Sequence, residues 1–285
     1  MIAVGHITEV RKLVDAERAD GKRIGFVPTM GALHAGHRSL IRRARDDTDY
    51  VVVSIFVNPT QFDQGADLAA YPRTFAVDLE ACVAEGADLV FHPDSFAIYP
   101  RPPSTSITVG GLTERMEGAS RPGHFAGVAL VCAKLFNIVG PCTAYFGEKD
   151  AQQLRVVRRM AVDLDLPVEI VGCPTVRDEE GLALSSRNAR LSSGDRVRAL
   201  ALSRALREVR ERVAAGERDV TALEAAGRSV LEGAGLDGVD YLDVVDPETL
   251  EHLVRLDGPA LVCGAVHVGE TRLIDNMMVG TREED

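Results

Sequence analysis

Residues 50–57 read YVVVSIFV, an apolar run with three consecutive valines and no polar residue on alternate positions. A β-branched run of this length is too short for a core helix and lacks the alternation of a half-solvated strand. It fits a parallel strand covered on both faces. Such a strand requires helices above and below it, so the neighbouring sequence should alternate between the two periods. It does. TEVRKLVDAERADG (8–21) has helical spacing and stops at a glycine, and RIGFV (23–27) follows as a strand. Downstream, AVDLEACVAEGA (76–87) reads as helix and DLVFHP (88–93) as strand. FAGVALVCAKLFNIVG (125–140) is a long apolar helix closed by Gly140, and TAYFG (143–147) is the next strand. DAQQLRVVRRMAVDL (150–164) and PVEIVGCP (167–174) repeat the pair. The predicted class is α/β, a Rossmann-like parallel sheet over residues 1–175.

The rhythm changes near Pro174. Two long polar-faced helices, about 193–215 and 220–233, precede VDYLDVV (239–245), ALVCGAVHVG (260–269) and a last short extended piece, RLIDNMMV (272–279). A smaller α+β domain is expected over 176–285. The chain's 285 residues can bury the core that two such domains need. No apolar run reaches the roughly 18 residues of a membrane span, so no membrane association is expected. The five cysteines (82, 132, 142, 173, 263) form no C-x-x-C pair and several sit in apolar stretches, as core thiols of a reducing compartment do. The cytoplasm is the expected location. A net charge of −11, from 43 acids and 32 bases, argues against a nucleic-acid partner. It leaves room for a small anion, because a pocket's local field can be positive on an acidic protein.

The chemistry is announced where the strand RIGFV runs into PTMGALHAGH (28–37). Ligands of parallel sheets bind beyond the carboxyl ends of the strands, where helix amino termini point N–H groups at anions. His34 and His37, three apart at a helix start, can share one side. Gly31 permits a tight turn, and Gly36 lets a bulky group approach the main chain. Two neutral imidazoles and the helix amides suit a triphosphate and the charge that grows on an α-phosphate as pyrophosphate leaves. Two surface histidines at a helix cap would read the same way in isolation. A zinc site would want a third clustered ligand. Alone, the motif supports only nucleotidyl or adenylyl transfer.

Other stretches sharpen the reading. PTMGALHAGH, NPTQF (58–62), YPRTF (71–75), RPGHFAGV (121–128), KLFNIV (134–139), YFGEKDAQQ (145–153), GLALSSRN (181–188) and RLIDN (272–276) together resemble the pantothenate synthetase family, in its order and over nearly the whole chain. Those enzymes are ATP-dependent ligases that join pantoate to β-alanine. The resemblance implies that Met30, Gly31, Ala32, Leu33, His34, Ala35, Gly36 and His37 bind ATP, with His34 on the phosphates and His37 as proton donor. It further implies ATP contacts from Gly147, Glu148, Lys149, Asp150, Val176, Leu184, Ser185, Ser186 and Arg187. Lys149 and Arg187 would also serve catalysis as local positive charge, Asp150 would take the ribose hydroxyls, and Val176 would lie near the adenine. Gln61 would bind pantoate and β-alanine, and Gln153 pantoate. A neutral amide reads carboxylate oxygens without blunting the nucleophile as a bidentate arginine would. Because Arg187 comes from the smaller domain, that domain is expected to close over the ATP site.

The same resemblance implies Mg2+ with the ATP and a homodimer. Asp78 is a candidate for touching the magnesium through water, while no metal ligand is assigned. Val128 and Val131 could wall in the geminal methyls of pantoate or be plain core. FDQGADLAAYPRTF (62–75) could be a lid or an ordinary surface loop, and Arg121 and His124 either active-site or capping residues. Ala35 stands where the family usually has glutamate, and Leu184 where methionine is usual. The rival reading is another H-x-G-H adenylyl- or nucleotidylyltransferase. An aminoacyl-tRNA synthetase is disfavoured, since the chain has no K-M-S-K-S-like loop and no basic anticodon-binding domain. A nucleotide-sensing protein without catalysis is the rival of a different kind.

Overall fold

Alternating strands and helices in the first part of the chain become a six-stranded, all-parallel sheet. The structure, a computed structural model, describes residues 1–62, 65–236 and 238–280, without the side chains of 65–67. The chain divides into two compact units: Met1–Glu148 with Gln152–Pro174, and Lys149–Ala151 with Thr175–Asp285.

In the first unit β1 (Ile2–Val4), α1 (Ile7–Ala19), β2 (Ile24–Thr29), α2 (Ala35–Asp47) and β3 (Tyr50–Ile55) follow in order. Then come α3 (Gly65–Ala70), α4 (Phe75–Ala84), β4 (Leu89–Phe91), α5 (Ser95–Ile98), α6 (Met116–Ser120) and α7 (His124–Val139). The unit ends with β5 (Cys142–Gly147), α8 (Ala151–Asp163) and β6 (Val168–Cys173). The spatial order is β1-β4-β3-β2-β5-β6. Strand β3 is buried on both faces, as its composition requires. Tyr50 and Val52 pack with Phe26, Phe136 and Phe146 on one side, whereas Val51 and Val53 pack with Leu40, Ile41 and Tyr145 on the other. Burial pushes the Cys82 and Cys132 thiols up to about 12, which suits packing rather than chemistry. Val128 and Val131 are in the core.

The strand order reverses between β2 and β5, because the chain builds outward through β3 and β4 and then returns to the far side of β2. Pairing between these two strands runs only through Gly25–Thr143 and Phe26–Ala144. Both strands continue beyond that ladder, β2 to Thr29 and β5 to Gly147. They part toward their carboxyl ends. This is the topological switch point at which open parallel sheets form a crevice.

The second unit contains α9 (Ser193–Ala214), α10 (Val220–Gly233) and an antiparallel sheet of β7 (Val239–Val245), β8 (Ala260–Val268) and β9 (Thr271–Val279), in that spatial order. Helices and sheet meet through Leu202, Leu206, Val209, Leu223, Leu242, Val262 and Val266. Close approach is possible at Gly264, where a Cβ would lie 2.7 Å from the Leu202 side chain. Two details differ from the sequence reading. RLIDNMMV is no short piece but part of a nine-residue strand, paired with β8 along its length. Strand β1 was not anticipated, since three residues carry no readable period. No helix among the described residues is long and apolar enough to cross a membrane.

Candidate active site

The turn after β2 is built by its own polar groups. Gly31 has φ +79° and Ala32 φ 51°, so two successive residues are left-handed. Their strain is held by Asp78 of α4, only 2% exposed, whose carboxylate accepts the N–H groups of Ala32 at 3.0 Å and Leu33 at 2.8 Å. Thr74 Oγ1 donates to the same carboxylate at 3.2 Å. The Gly31 N–H donates to Thr29 Oγ1 at 3.2 Å. A side chain at Gly31 would collide with Asp78, its Cβ falling 2.9 Å from Oδ2.

His34 caps α2 and His37 lies in its first turn, with ring centroids 4.1 Å apart. His34 Nδ1 accepts the Gly36 N–H at 3.1 Å, and His37 Nδ1 accepts the His34 N–H at a longer 3.4 Å. An N–H aimed at Nδ1 needs a lone pair there, so each neutral ring carries its proton on Nε2. Both imidazoles are thereby fixed as Nε2–H donors. The amides of Gly31, Ala32, Leu33, His34 and Gly36 all donate within the turn, to Thr29, Asp78 and the two rings. With these five amides engaged, the two imidazoles stand as further donors at the start of α2. The bulky group that approaches Gly36 is the His34 ring, whose Cε1 would sit 2.9 Å from an added Cβ. Ala35 faces outward and is exposed.

A second cluster surrounds Gln61, which is 8% exposed in the 3₁₀ turn Pro59–Gln61 after β3. Asn58, still more deeply buried, donates from Nδ2 to Gln61 Oε1 at 3.0 Å and to the Gly127 carbonyl at 3.1 Å. Its Oδ1 accepts the hydroxyls of Thr60 at 2.9 Å and Tyr99 at 3.0 Å. The Gly127 carbonyl, which can only accept, and the Thr60 N–H, which donates to Oδ1 at 3.4 Å, fix which end of the Asn58 amide is which, and Asn58 then fixes Gln61. With Oε1 identified by that bond, the Gln61 NH2 is the donor end of the amide. His124 Nδ1–H donates to the Gln61 carbonyl at 2.8 Å, so His124 Nε2 is the acceptor of the Arg121 guanidinium at 3.2 Å. Arg121 also reaches the Gln61 carbonyl at 3.3 Å. Arg121 and His124 thus hold the Gln61 main chain. Gly127 is obligatory beneath this turn, because a Cβ would lie 2.2 Å from the Thr60 carbonyl oxygen.

Gly147 ends β5, and Glu148, Lys149 and Asp150 form the 3₁₀ turn that follows, with Glu148 and Asp150 exposed. Gln153 is half-buried on α8. Its neighbour Gln152 is a buried clamp, donating to the carbonyls of Leu112 (2.7 Å) and Arg115 (2.9 Å) and accepting the Glu117 N–H (3.0 Å). In the second unit, Val176 and Leu184 face each other across a hairpin, the Leu184 N–H donating to the Val176 carbonyl at 3.0 Å. Asp178 caps its turn. Burial alone would raise that carboxyl, but the Leu182 and Glu180 amides and the Arg196 guanidinium outweigh it and hold it below the usual carboxylate range. Ser185 accepts the Arg187 N–H at 3.2 Å and caps the 3₁₀ turn Ser186–Arg190.

Among the described residues no cluster of three His, Cys, Asp or Glu forms a metal cage. Asp78 accepts two amides and the Thr74 hydroxyl within the turn, and the contact with magnesium suggested for it runs through water. The donor set suits a magnesium ion carried by its nucleotide, which needs few protein ligands. The suggested lid at 62–75 falls in part on residues 63 and 64 and the side chains of 65–67, outside the described residues.

The family model for pantoate-β-alanine ligase matches residues 3–278. The chain belongs to that ligase family. The pantothenate synthetase of Acidobacterium capsulatum is 54% identical over 259 residues, 91% of this chain and 87% of that protein. That of Rhizorhabdus wittichii is 52% identical over 279 residues, 98% and 99% of the two chains. Among solved structures, pantothenate synthetase from Thermus thermophilus superposes with a TM-score of 0.92 at 47% identity, covering 97% of this chain and 99% of that one. Pantoate-β-alanine ligase from Francisella tularensis, complexed with Beta-gamma ATP and β-alanine, gives a TM-score of 0.82 at 34% identity, with 99% of each chain covered. The α/β class expected from the sequence is borne out, and the protein is an enzyme of the ligase class.

Sequence reasoning passed over the residues that orient the others. Asn58, Thr60 and Tyr99 received no role, although N-P-T after a strand is a cap signal that could have marked Asn58. Asp78 was considered only for magnesium, and its hold on the turn was not anticipated. Gln152 was overlooked beside Gln153.

Proposed function

We propose that this ligase condenses pantoate with β-alanine in two steps. A pantoate carboxylate oxygen attacks the α-phosphorus of ATP, the bond to the β-phosphate breaks, and pyrophosphate leaves with that electron pair. The β-alanine amine then attacks the acyl carbon of the pantoyl adenylate, loses a proton, and expels AMP to give pantothenate. His34 and His37 donate Nε2–H bonds to the phosphate oxygens, His37 also as the proton donor. Lys149 and Arg187 add positive charge, and Ser185 and Ser186 add hydroxyl donors. Met30 to His37, Gly147 to Asp150, Val176 and Leu184 frame the nucleotide, with Asp150 on the ribose. Gln61 orients pantoate and β-alanine through its NH2, and Gln153 binds pantoate. Mg2+ bound to the triphosphate would neutralise charge on its oxygens. The enzyme works as a homodimer in the cytoplasm.

The observation that carries this reading is the pair of imidazoles with their Nε2–H tautomers set, immediately beyond β2 at the switch point of the sheet. Neutral donors aimed at a phosphorus centre stabilise the charge that appears only as pyrophosphate departs. The Francisella relative's complex with Beta-gamma ATP and β-alanine supports two of the three substrates. The test is incubation with Mg-ATP and pantoate while β-alanine is withheld. Pyrophosphate and an enzyme-bound adenylate are expected. ADP and inorganic phosphate would instead mean an acyl-phosphate route and overturn the adenylate.

A further inference from the structure

The motif RLIDN has no part in the chemistry above, yet it holds two of the most buried polar residues in the second unit, Asp275 and Asn276. Consecutive residues of a strand point to opposite faces of its sheet. Asp275 stands opposite Gly264 on β8, on the face packed against α9. Its carboxylate grips Arg177 in a two-pronged contact, Nη1 at 2.6 Å and Nη2 at 2.9 Å. Arg177 also donates to the carbonyls of Gly181 (3.2 Å) and Asn276 (3.3 Å). Arg177 lies in the hairpin between Val176 and Leu184, so the fork fixes both arms of that hairpin to β9. On the other face, Asn276 Nδ2 donates to the Lys149 carbonyl at 2.8 Å.

We infer that Asp275 and Asn276 are positioning residues for ATP, one holding the Val176–Leu184 hairpin through Arg177 and the other holding the main chain of Lys149. A single strand then sets where two nucleotide-gripping segments lie relative to each other. The inference rests on the proposed roles of Lys149, Val176 and Leu184. The fork geometry explains why arginine is used, since lysine offers no planar pair of donors.

The test compares Asn276→Asp, isosteric but lacking the donor, with Arg177→Lys, which keeps the charge and loses the fork. Rates are measured while ATP, pantoate and β-alanine are varied separately, and Tm is recorded. Each variant should lose about 10- to 100-fold in kcat/KM for ATP, the scale of a small misplacement of a binding group. KM for pantoate and β-alanine should stay at wild-type values, while Tm should fall by a few degrees in each variant because both disturb buried polar pairs. Asn276→Gln, which retains an amide donor, should recover part of the loss. Loss spread equally over all three substrates, in step with the fall in Tm, would make these residues merely structural. Unchanged ATP kinetics, or no recovery in Asn276→Gln, would also overturn the inference. Should Asn276→Asp fail to fold, Arg177→Lys decides the matter with the same readouts. A wild-type enzyme that releases no pyrophosphate from ATP and pantoate would instead refute the proposed function.

Discussion

Replacing Asp78 by asparagine tests whether the histidine turn is held from beneath. The side chain keeps its shape, but one of its two oxygens becomes an NH2 that faces an amide donor. Ala32 and Leu33 each send an N–H to this buried carboxylate, from 3.0 and 2.8 Å. At least one of them loses its acceptor, and a buried donor left without a partner costs about 1–3 kcal/mol. For a body the size of the first unit, each kcal/mol lowers Tm by about 2–4 °C, so a drop of about 2–12 °C is expected. The left-handed backbone at Gly31 and Ala32 would lose its brace, and the imidazoles would shift with it. Misplacement of a catalytic group by about 1 Å can cost about 10²-fold in turnover. The assay is thermal melting beside the initial rate of pyrophosphate release across a magnesium titration. If Tm is unchanged and added Mg2+ restores the rate, Asp78 is a metal ligand and does not brace the turn.

Four further outcomes follow from the same geometry. Alanine at His34 or His37 should lower turnover by about 10²–10³, the usual loss for one transition-state donor, as measured by steady-state pyrophosphate release. Gly36→Ala should separate stability from activity. The added Cβ meets only the His34 ring, which can swing aside, and a glycine is removed from a helix, so melting should be unchanged or slightly higher while turnover falls. Gln153→Ala should raise KM for pantoate far more than for ATP, and equal losses in substrate-varied kinetics would count against its assignment. Glu85 ties Arg42 and Arg38 of α2 to the end of α4, and those guanidiniums, Arg42 foremost, hold its carboxyl below the ordinary 4.5. A carboxyl depressed in the folded state adds stability above its unfolded value that is lost as pH falls through the folded one. Acid melting of Glu85→Gln below pH 4.5 should therefore show a shallower pH dependence than wild type.

What could be read from the sequence was what periodicity and contiguity encode. YVVVSIFV announced a doubly covered strand because its side chains must fill both faces at once, and Val51 and Val52 do pack into separate cores. PTMGALHAGH gathers its candidate site residues in ten consecutive positions, so its histidines stood out before any coordinates. The supports did not stand out, because each is distant in the chain from what it orients. Asp78 braces a turn 45 residues earlier, and Tyr99 reaches Asn58 across 41. Nothing in the local pattern of α4 says that one of its acids points inward at a backbone. RLIDN was visible as a motif, but its meaning lies in Arg177, 98 residues away. Register and tautomer are likewise silent in a one-dimensional string.

The net charge of −11 poses the question that these supports answer. If the proposed reaction holds, an acidic chain that handles a triphosphate and a carboxylate cannot rely on a broad basic surface, so it must present donors one at a time. Imidazole and carboxamide groups each carry a donor and an acceptor, and the wrong end would repel an anion. The fold reduces that ambiguity by engaging the acceptor. The Gly36 N–H occupies His34 Nδ1, the His34 N–H occupies His37 Nδ1, and Asn58 occupies Gln61 Oε1. Each satisfied acceptor turns a two-faced side chain into a neutral donor of fixed direction. Neutral donors gain most when negative charge grows beside them, which is the differential that speeds a reaction rather than merely binding its reactants.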